Sequence, residues 1–160
     1  MSAEATASSR LFRLVEPLVS LDRAGRIEAL LDLAGRFREV DPAVARRPFP
    51  EANRVPACES QAFVFAEPQG DDTLRFHFAV ENPQGLSAKA LAVLLDRAFS
   101  GAPLAEVAEG AGDPAAAVEA IFGRELSLGK QLGLAGLLLA VQRAARARIA
   151  HGDDDPNRKP

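Results

Sequence analysis

The hairpin of this fold can be read from residues 61–80, which are QAFVFAEPQGDDTLRFHFAV. Two runs rich in aromatic and aliphatic residues flank a turn cluster at 67–72. From Thr73 to Val80, apolar residues alternate with Arg75 and His77, which is the period of a strand with one buried face. We predict an antiparallel hairpin whose second strand buries Leu74, Phe76, Phe78 and Val80. His77 lies on the opposite face and is predicted to be exposed.

Helical patterns lie on both sides of this hairpin. Upstream, a short helix is predicted after Ser9 and limited by Pro17, and a longer helix spans 22–38. Downstream, Ser87 and Asp113 are typical N-cap residues. The predicted downstream helices cover residues 87–99, 113–123 and about 130–150, and Gly133 and Gly136 in the last one favour the close approach of another element.

Another short strand is predicted at Asn53-Arg54-Val55, just before the hairpin. Helices precede and follow the strands instead of alternating with them, which indicates an α+β fold. We therefore predict a small three-stranded antiparallel sheet packed against several α-helices. Residues 9–150 form the predicted single domain, and the polar ends, 1–8 and 152–160, are predicted to be disordered tails.

Composition limits the class of protein. Residues 57–128 carry four basic and eleven acidic groups, a net charge of −7, which argues against a broad nucleic-acid surface. No stretch of 18 apolar residues predicts a membrane helix, and residues 1–9 do not resemble a secretory signal. One cysteine forms neither an internal disulfide nor a thiolate metal site by itself, so we predict no metal site and a cytoplasmic location.

That cysteine, Cys58, lies between two predicted strands. Pro56 has no N–H for strand pairing, so regular pairing is expected to fail there and the thiol to lie at a loop tip. A lone cysteine is also commonly a small buried apolar residue, and no histidine or lysine is near it in the sequence. Position alone therefore leaves a reactive thiol and a structural thiol as alternatives.

The segment from Asn53 to Phe63, NRVPACESQAF, resembles the signature of the SufE family of sulfur-acceptor proteins. In that signature, Val is followed by any residue, Gly, the Cys, any residue and Ser, and a small apolar and an aromatic residue come shortly after. The resemblance covers about residues 18–150 in the right order and includes a Gly-Leu pair, at 133–134, that opens a long C-terminal helix. Ala57 stands where the family usually has Gly, and Lys130 where it commonly has Arg.

The resemblance implies a SufE/IscU-like fold and a sulfur-carrier function for Cys58. The partner would be a SufS-like, pyridoxal-phosphate-dependent cysteine desulfurase, whose persulfide sulfur passes to Cys58 and then to iron–sulfur cluster assembly. The chain itself would be an accessory carrier without a cofactor, and its cysteine would be turned inward against apolar residues at rest. Ser60 and Gln61 would shape the loop. Lys130 would favour an anionic persulfide, or would simply be a solvated lysine.

One function other than sulfur carrier is also compatible with the sequence. A non-catalytic binding or regulatory module on the same fold would also account for the substitutions at Ala57 and Lys130. An iron–sulfur scaffold fits less well, because scaffolds on related folds use several cysteines.

Overall fold

The computed structural model of the chain describes residues 7–56, 58–110, 112–123 and 126–153. Within these ranges two helices, a hairpin and four helices follow one another, which confirms the predicted α+β class. None of these helices combines the length and apolar character needed to cross a bilayer. The elements are α1 (Ala7–Val19), α2 (Arg23–Gly35), a one-turn 3₁₀ helix (Glu51–Asn53), β1 (Ala62–Pro68), β2 (Leu74–Val80), α3 (Leu86–Phe99), α4 (Leu104–Glu109), α5 (Pro114–Phe122) and α6 (Leu128–Asp153).

The sheet formed by the described residues has two strands, and the predicted third strand is wrong. β1 and β2 pair antiparallel along their whole length. The segment 53–55 contributes only an isolated bridge between Arg54 and Phe63. Pairing cannot extend because the 3₁₀ helix occupies the residues before the bridge, while Pro56 after it lacks an N–H.

The upstream helices differ from their predicted bounds at their C-terminal ends. α1 continues through Pro17 for two further residues, because a proline so close to the end of a helix removes only one backbone hydrogen bond. α2 is capped by Asp22, whose carboxylate accepts from the Gly25 N–H at 2.8 Å, and it ends at Gly35 instead of Arg38. Residues 7–8, predicted as part of a tail, are helical, whereas 1–6 lie outside the described residues.

α5 begins as predicted, with Asp113 as its N-cap, whereas α3 and α6 begin slightly earlier than predicted. α3 has Gly85 in the cap position, and Ser87 is already helical. α6 begins at Leu128, so the Gly-Leu pair at 133–134 lies more than a turn inside the helix instead of opening it. α6 also extends through 152–153, which were predicted as tail, and residues 154–160 lie outside the described residues.

The main core lies between the inner face of the hairpin, α3 and α6. The predicted apolar face of β2 is confirmed, since its four residues are between 2% and 7% exposed. α3 is buried on most sides, and Leu91, Leu95 and Phe99 are fully enclosed. α6 adds a buried stripe to the same cluster: Leu134, Leu137, Leu138, Val141 and Ala145.

The outer face of the hairpin is covered as well. Val40 and Phe49, from the connection between α2 and β1, pack against Phe63, Phe65 and Ala79. Phe49 makes tilted ring contacts with both strand phenylalanines, at centroid distances of 5.2 and 5.4 Å. Buried side chains therefore lie on both faces of the sheet.

The prediction of an exposed His77 on this outer face is wrong. The His77 side chain is 14% exposed, and its Nε2 lies 3.6 Å from a carboxylate oxygen of Glu67 on the neighbouring strand. Alternation along β2 correctly separated the two faces. Alternation could not indicate that the connection 40–49 would pack over the outer face of the hairpin.

A buried glutamine joins α4 to α6. Gln142 is 2% exposed, and its Nε2 donates to the carbonyl oxygen of Glu109 at 3.3 Å. Gly110 follows with φ 58° and ψ −145°, a conformation that is essentially restricted to glycine. A Cβ on Gly110 would lie 2.0 Å from Gln142 Nε2. The contact thus requires glycine both for its backbone and for its lack of a side chain.

We predict that Gly110→Ala lowers the free energy of unfolding by about 2–4 kcal/mol, through backbone strain and the loss of a buried hydrogen bond. Equilibrium urea unfolding measures this. Gly70→Ala is the control, because Gly70 has open space around its Cα and no positive φ. It should change the free energy of unfolding by no more than about 0.5 kcal/mol. Equal unfolding midpoints for the two variants would contradict the prediction.

Candidate functional site

The chain forms a tight loop, the Cys58 loop (residues 55–61), before it enters β1. At its base, the Val55 N–H donates to the Ala62 carbonyl oxygen at 2.9 Å. At its tip, the Gln61 N–H donates to the Cys58 carbonyl oxygen at 3.0 Å. Gln61 has φ 53°, in the left-handed region, which turns the chain back toward the sheet. Ala57 lies outside the described residues.

The Cys58 side chain points inward. It is 9% exposed and belongs to the main hydrophobic cluster, together with Val55 and Leu134. This agrees with the inward-turned cysteine that the family resemblance implies. Burial among apolar groups shields a thiol from oxidants and small thiols.

Cys58 also lines a small pocket, the Cys58 pocket, of about 160 Å³. Its walls come from the Cys58 loop, from residues 82–87 between β2 and α3, and from residues 129–134 of α6. Organic ligands usually occupy cavities of about 300–1,000 Å³, so this pocket suits a group of a few atoms. Among the residues that the structure describes, no group of three or more His, Cys, Asp or Glu side chains is placed to hold a metal ion.

A face of α6 without side chains supports the loop. Gly129, Gly133 and Gly136 follow at the four- and three-residue spacing that puts them on one side of a helix. A Cβ on Gly129 would lie 2.9 Å from Glu59 Oε1, and one on Gly136 would lie 3.0 Å from Val55 Cγ1. Gly133 lines the Cys58 pocket. The close approach predicted at Gly136 is therefore present, and Gly129 extends the same face.

Asn82, just after β2, holds the loop from the opposite side. Its Nδ2 donates to the Glu59 carbonyl oxygen, and its backbone N–H donates to the Ser60 carbonyl oxygen, both at 3.2 Å. Its Oδ1 accepts from the Gln84 N–H at 3.0 Å, which fixes the side chain. The sequence analysis did not identify Asn82. The turn composition of 82–85, Asn-Pro-Gln-Gly, was the available signal.

The predicted supporting residues have different positions. Ser60 and Lys130 line the same pocket as Cys58, so three of the four predicted site residues come together. Gln61 does not line the pocket, and its side chain is exposed. It acts through its backbone, since its carbonyl oxygen also accepts from the Glu81 N–H at 3.1 Å.

Exposed leucines are sequence neighbours of residues that line the Cys58 pocket. Leu128 and Leu132 are 70% and 56% exposed and lie one turn apart on α6, on either side of Lys130. Leu86 is 44% exposed and lies between two residues that line the pocket, Gly85 and Ser87. Large apolar side chains grouped on a surface mark places where other molecules bind.

The fold and the site together describe a small α+β protein with one sheltered thiol beside a small pocket. A family model, SufE, described as an Fe-S metabolism associated domain, matches residues 13–145. The chain therefore belongs to the SufE family, a family associated with iron–sulfur metabolism, which confirms the family resemblance seen in the sequence.

Similarity to a solved structure agrees with this fold. A solution structure of a hypothetical protein from Thermus thermophilus matches with 25% sequence identity and a TM-score of 0.65. The match covers 88% of this chain and 96% of the other. No curated protein matches the chain.

We predict that Asn82→Ala makes Cys58 more reactive in the folded protein. The side-chain hydrogen bond that joins Asn82 to the loop contributes about 1 kcal/mol, so alkylation of Cys58 should accelerate about fivefold. The rate of iodoacetamide modification, followed by intact mass, measures this. Gln69→Ala is the matched control, because Gln69 makes comparable side-chain bonds at the other end of the hairpin. A rate equal to that of the control would show that Asn82 does not hold the loop.

Proposed function

We propose that this chain is a sulfur acceptor that takes the terminal sulfur of a persulfide onto Cys58. The observation that carries the proposal is that the one cysteine of a SufE-family chain lines a small pocket together with Lys130. The donor is a SufS-like, pyridoxal-phosphate-dependent cysteine desulfurase, which the acceptor stimulates by removing its sulfur. An iron–sulfur scaffold is the downstream acceptor. Residues 9–150 act as one unit in a reducing, cytoplasmic environment, which suits a lone free thiol.

The transfer is an exchange at sulfur. The Cys58 thiolate attacks the outer sulfur of the donor persulfide, a new S–S bond forms at Cys58, and the donor's S–S bond breaks. The donor cysteine leaves as a thiolate and takes up the proton that Cys58 has lost. No external oxidant or reductant is needed, because one persulfide and one thiol give one thiol and one persulfide.

Burial of Cys58 requires the loop to move during this reaction. At 9% exposure the sulfur cannot reach a donor sulfur held by another protein. Outward motion of the loop would separate the Glu59 and Ser60 carbonyl oxygens from Asn82 and would leave the base bond of Val55 to Ala62 in place. Docking of the donor would supply the free energy for this step, and return of the loop would then shelter the product persulfide.

Lys130 is suited to favour the anionic forms of sulfur. It belongs to the first turn of α6, where the helix dipole adds a partial positive charge. Both contributions would stabilise a Cys58 thiolate or persulfide anion in the pocket. Ser60, on the wall formed by the Cys58 loop, can donate a hydrogen bond to that anion.

The leucines around the pocket form the docking surface in this proposal. Leu86, Leu128 and Leu132 are exposed large apolar residues next in the sequence to residues that line the pocket, and in this proposal they are covered when a desulfurase approaches Cys58. Burial of a leucine side chain stabilises a complex by about 1.5–3 kcal/mol, so this small surface would contribute appreciably to binding.

The first test is mass spectrometry after incubation with the desulfurase and cysteine. We expect the intact chain to gain the mass of one sulfur atom, and Cys58→Ser to gain none. Stimulation of sulfide release should be lost in the same variant. A chain that binds the desulfurase and acquires no sulfur would instead be the non-catalytic binding module.

The second test addresses the docking surface. We expect the double variant Leu128→Ala and Leu132→Ala to raise the concentration needed for half-maximal stimulation of the desulfurase about tenfold, because apolar contact area is lost. Maximal stimulation should change little, since the pocket itself is unaltered.

A matched control exists on α2. Ile27 and Leu31 are each 50% exposed and also lie one turn apart, but their helix, unlike α6, contributes no residue to the walls of the Cys58 pocket. Their double alanine variant should stimulate like the wild type. An equal loss of stimulation in both double variants would show that Leu128 and Leu132 are not part of the docking surface.

A further inference from the structure

Glu59 lies next to the sulfur-bearing residue and contacts a different part of the structure. Whereas Cys58 is buried in the core, the Glu59 side chain is exposed and extends over the start of α6. Its Oε1 lies 2.9 Å from the position that a Cβ on Gly129 would occupy, and its Cδ lies 3.7 Å from that position. Only a residue without a side chain at 129 allows the carboxylate to lie this close to the helix.

The place of this contact favours a negative charge. Gly129 is the second residue of a 26-residue helix, where unpaired N–H groups give the helix end a partial positive charge. Ser127 precedes the helix, and its Oγ accepts from the Lys130 N–H at 3.3 Å, so the end of the helix is well formed. A carboxylate that rests against the first turn is attracted to it, and the neighbouring Lys130 ammonium group adds to the positive field.

The backbone of Glu59 is held from the other side. Its carbonyl oxygen accepts from Asn82 Nδ2 at 3.2 Å, and the Ser60 carbonyl oxygen accepts from the Asn82 N–H. The loop is thus fixed toward the connection between β2 and α3 by one side-chain and one main-chain hydrogen bond from Asn82, and toward α6 by the Glu59 side chain. Because residues 58–60 are consecutive, outward rotation of Cys58 would break both the hydrogen bonds to Asn82 and the contact of Glu59 with Gly129.

We infer that Glu59 is a positioning residue whose carboxylate, seated on Gly129 at the N-terminal end of α6, latches the Cys58 loop in its closed state. Release of the latch would let Cys58 reach a donor. A cationic group on the docking partner could draw the carboxylate away, so that opening would depend on the partner. The latch would regulate access to the proposed sulfur-acceptor site, and this role depends on the proposed function. The latch itself is a property of the free chain.

The test is the rate of Cys58 alkylation in the free protein, measured as a function of pH. At high pH the thiol is fully ionised, and the plateau rate then reports access to Cys58 alone. We expect Glu59→Gln and Gly129→Ala each to raise the plateau about two- to fivefold, which is the range for a charge at a helix terminus. The double variant should show no further increase, because both changes break the same contact.

Salt provides a second readout. Added sodium chloride should raise the plateau rate of the wild-type chain, because it screens the carboxylate from the helix end, and should leave that of Glu59→Gln unchanged. Glu28→Gln, which removes an exposed carboxylate on α2, controls for the change in net charge and should match the wild type. Circular dichroism at each condition verifies that the variants remain folded.

Two outcomes would overturn the latch. If Glu59→Gln shifts the midpoint of the pH profile and leaves the plateau unchanged, Glu59 acts only on thiol ionisation. If the effects of Glu59→Gln and Gly129→Ala add, the two residues do not act through one contact. Both results are obtained without a desulfurase. The sulfur-acceptor proposal fails on a different observation, the absence of a sulfur adduct on the wild-type chain, so the two failures can be distinguished.

Discussion

The close contact between the Cys58 loop and the side-chain-free face of α6 determines how the site is built. Gly129 and Gly136 bring the loop to within contact distance of the helix backbone, and Gly133 lines the space beneath it. A helix with ordinary side chains at these positions would hold the loop farther away. The thiol would then lack both its apolar surroundings and the positive end of the helix.

Such a contact requires that α6 be fixed relative to the hairpin. The apolar stripe of α6 packs in the main core with α3 and β2, and the buried Gln142 ties the helix to the end of α4. The hairpin carries the loop at its start and Asn82 at its end, so the two sides of the pocket belong to elements that share one core. The position of Cys58 is therefore a property of the whole fold.

Much of the fold could be predicted from local patterns. Alternation in β2 gave its buried face, and helical spacing with Asp22 and Asp113 gave two helix starts. The errors arose where distant segments decide the outcome. The connection 40–49 packs on the outer face of the hairpin, to which His77 belongs, and the 3₁₀ helix with Pro56 reduces the third strand to a bridge. No periodic pattern within a few residues of those positions carries this information.

The candidate site shows the same difference between residues that the sequence identifies and residues whose role depends on distant segments. Cys58 and Lys130 were found through the family resemblance, and both line one pocket, although they lie far apart in the sequence. Asn82 and Glu59 were not assigned supporting roles, because their importance depends on which backbone groups lie opposite them. Gln61 was predicted to shape the loop, and its positive φ gives a physical reason for that expectation. The sulfur-acceptor role itself stays a prediction.

The two-sided cover of the hairpin bears on how the chain reaches its native state. A two-stranded hairpin is marginally stable in water, so β1 and β2 should persist only when the main core and the 40–49 connection enclose them. The Cys58 loop is continuous with β1 and rests on the last long helix. A newly synthesised chain would consequently carry an open thiol until its C-terminal helix has docked. Burial of the Cys58 thiol would then be one of the last steps of folding. The incompletely folded chain would be the form in which Cys58 is most readily oxidised.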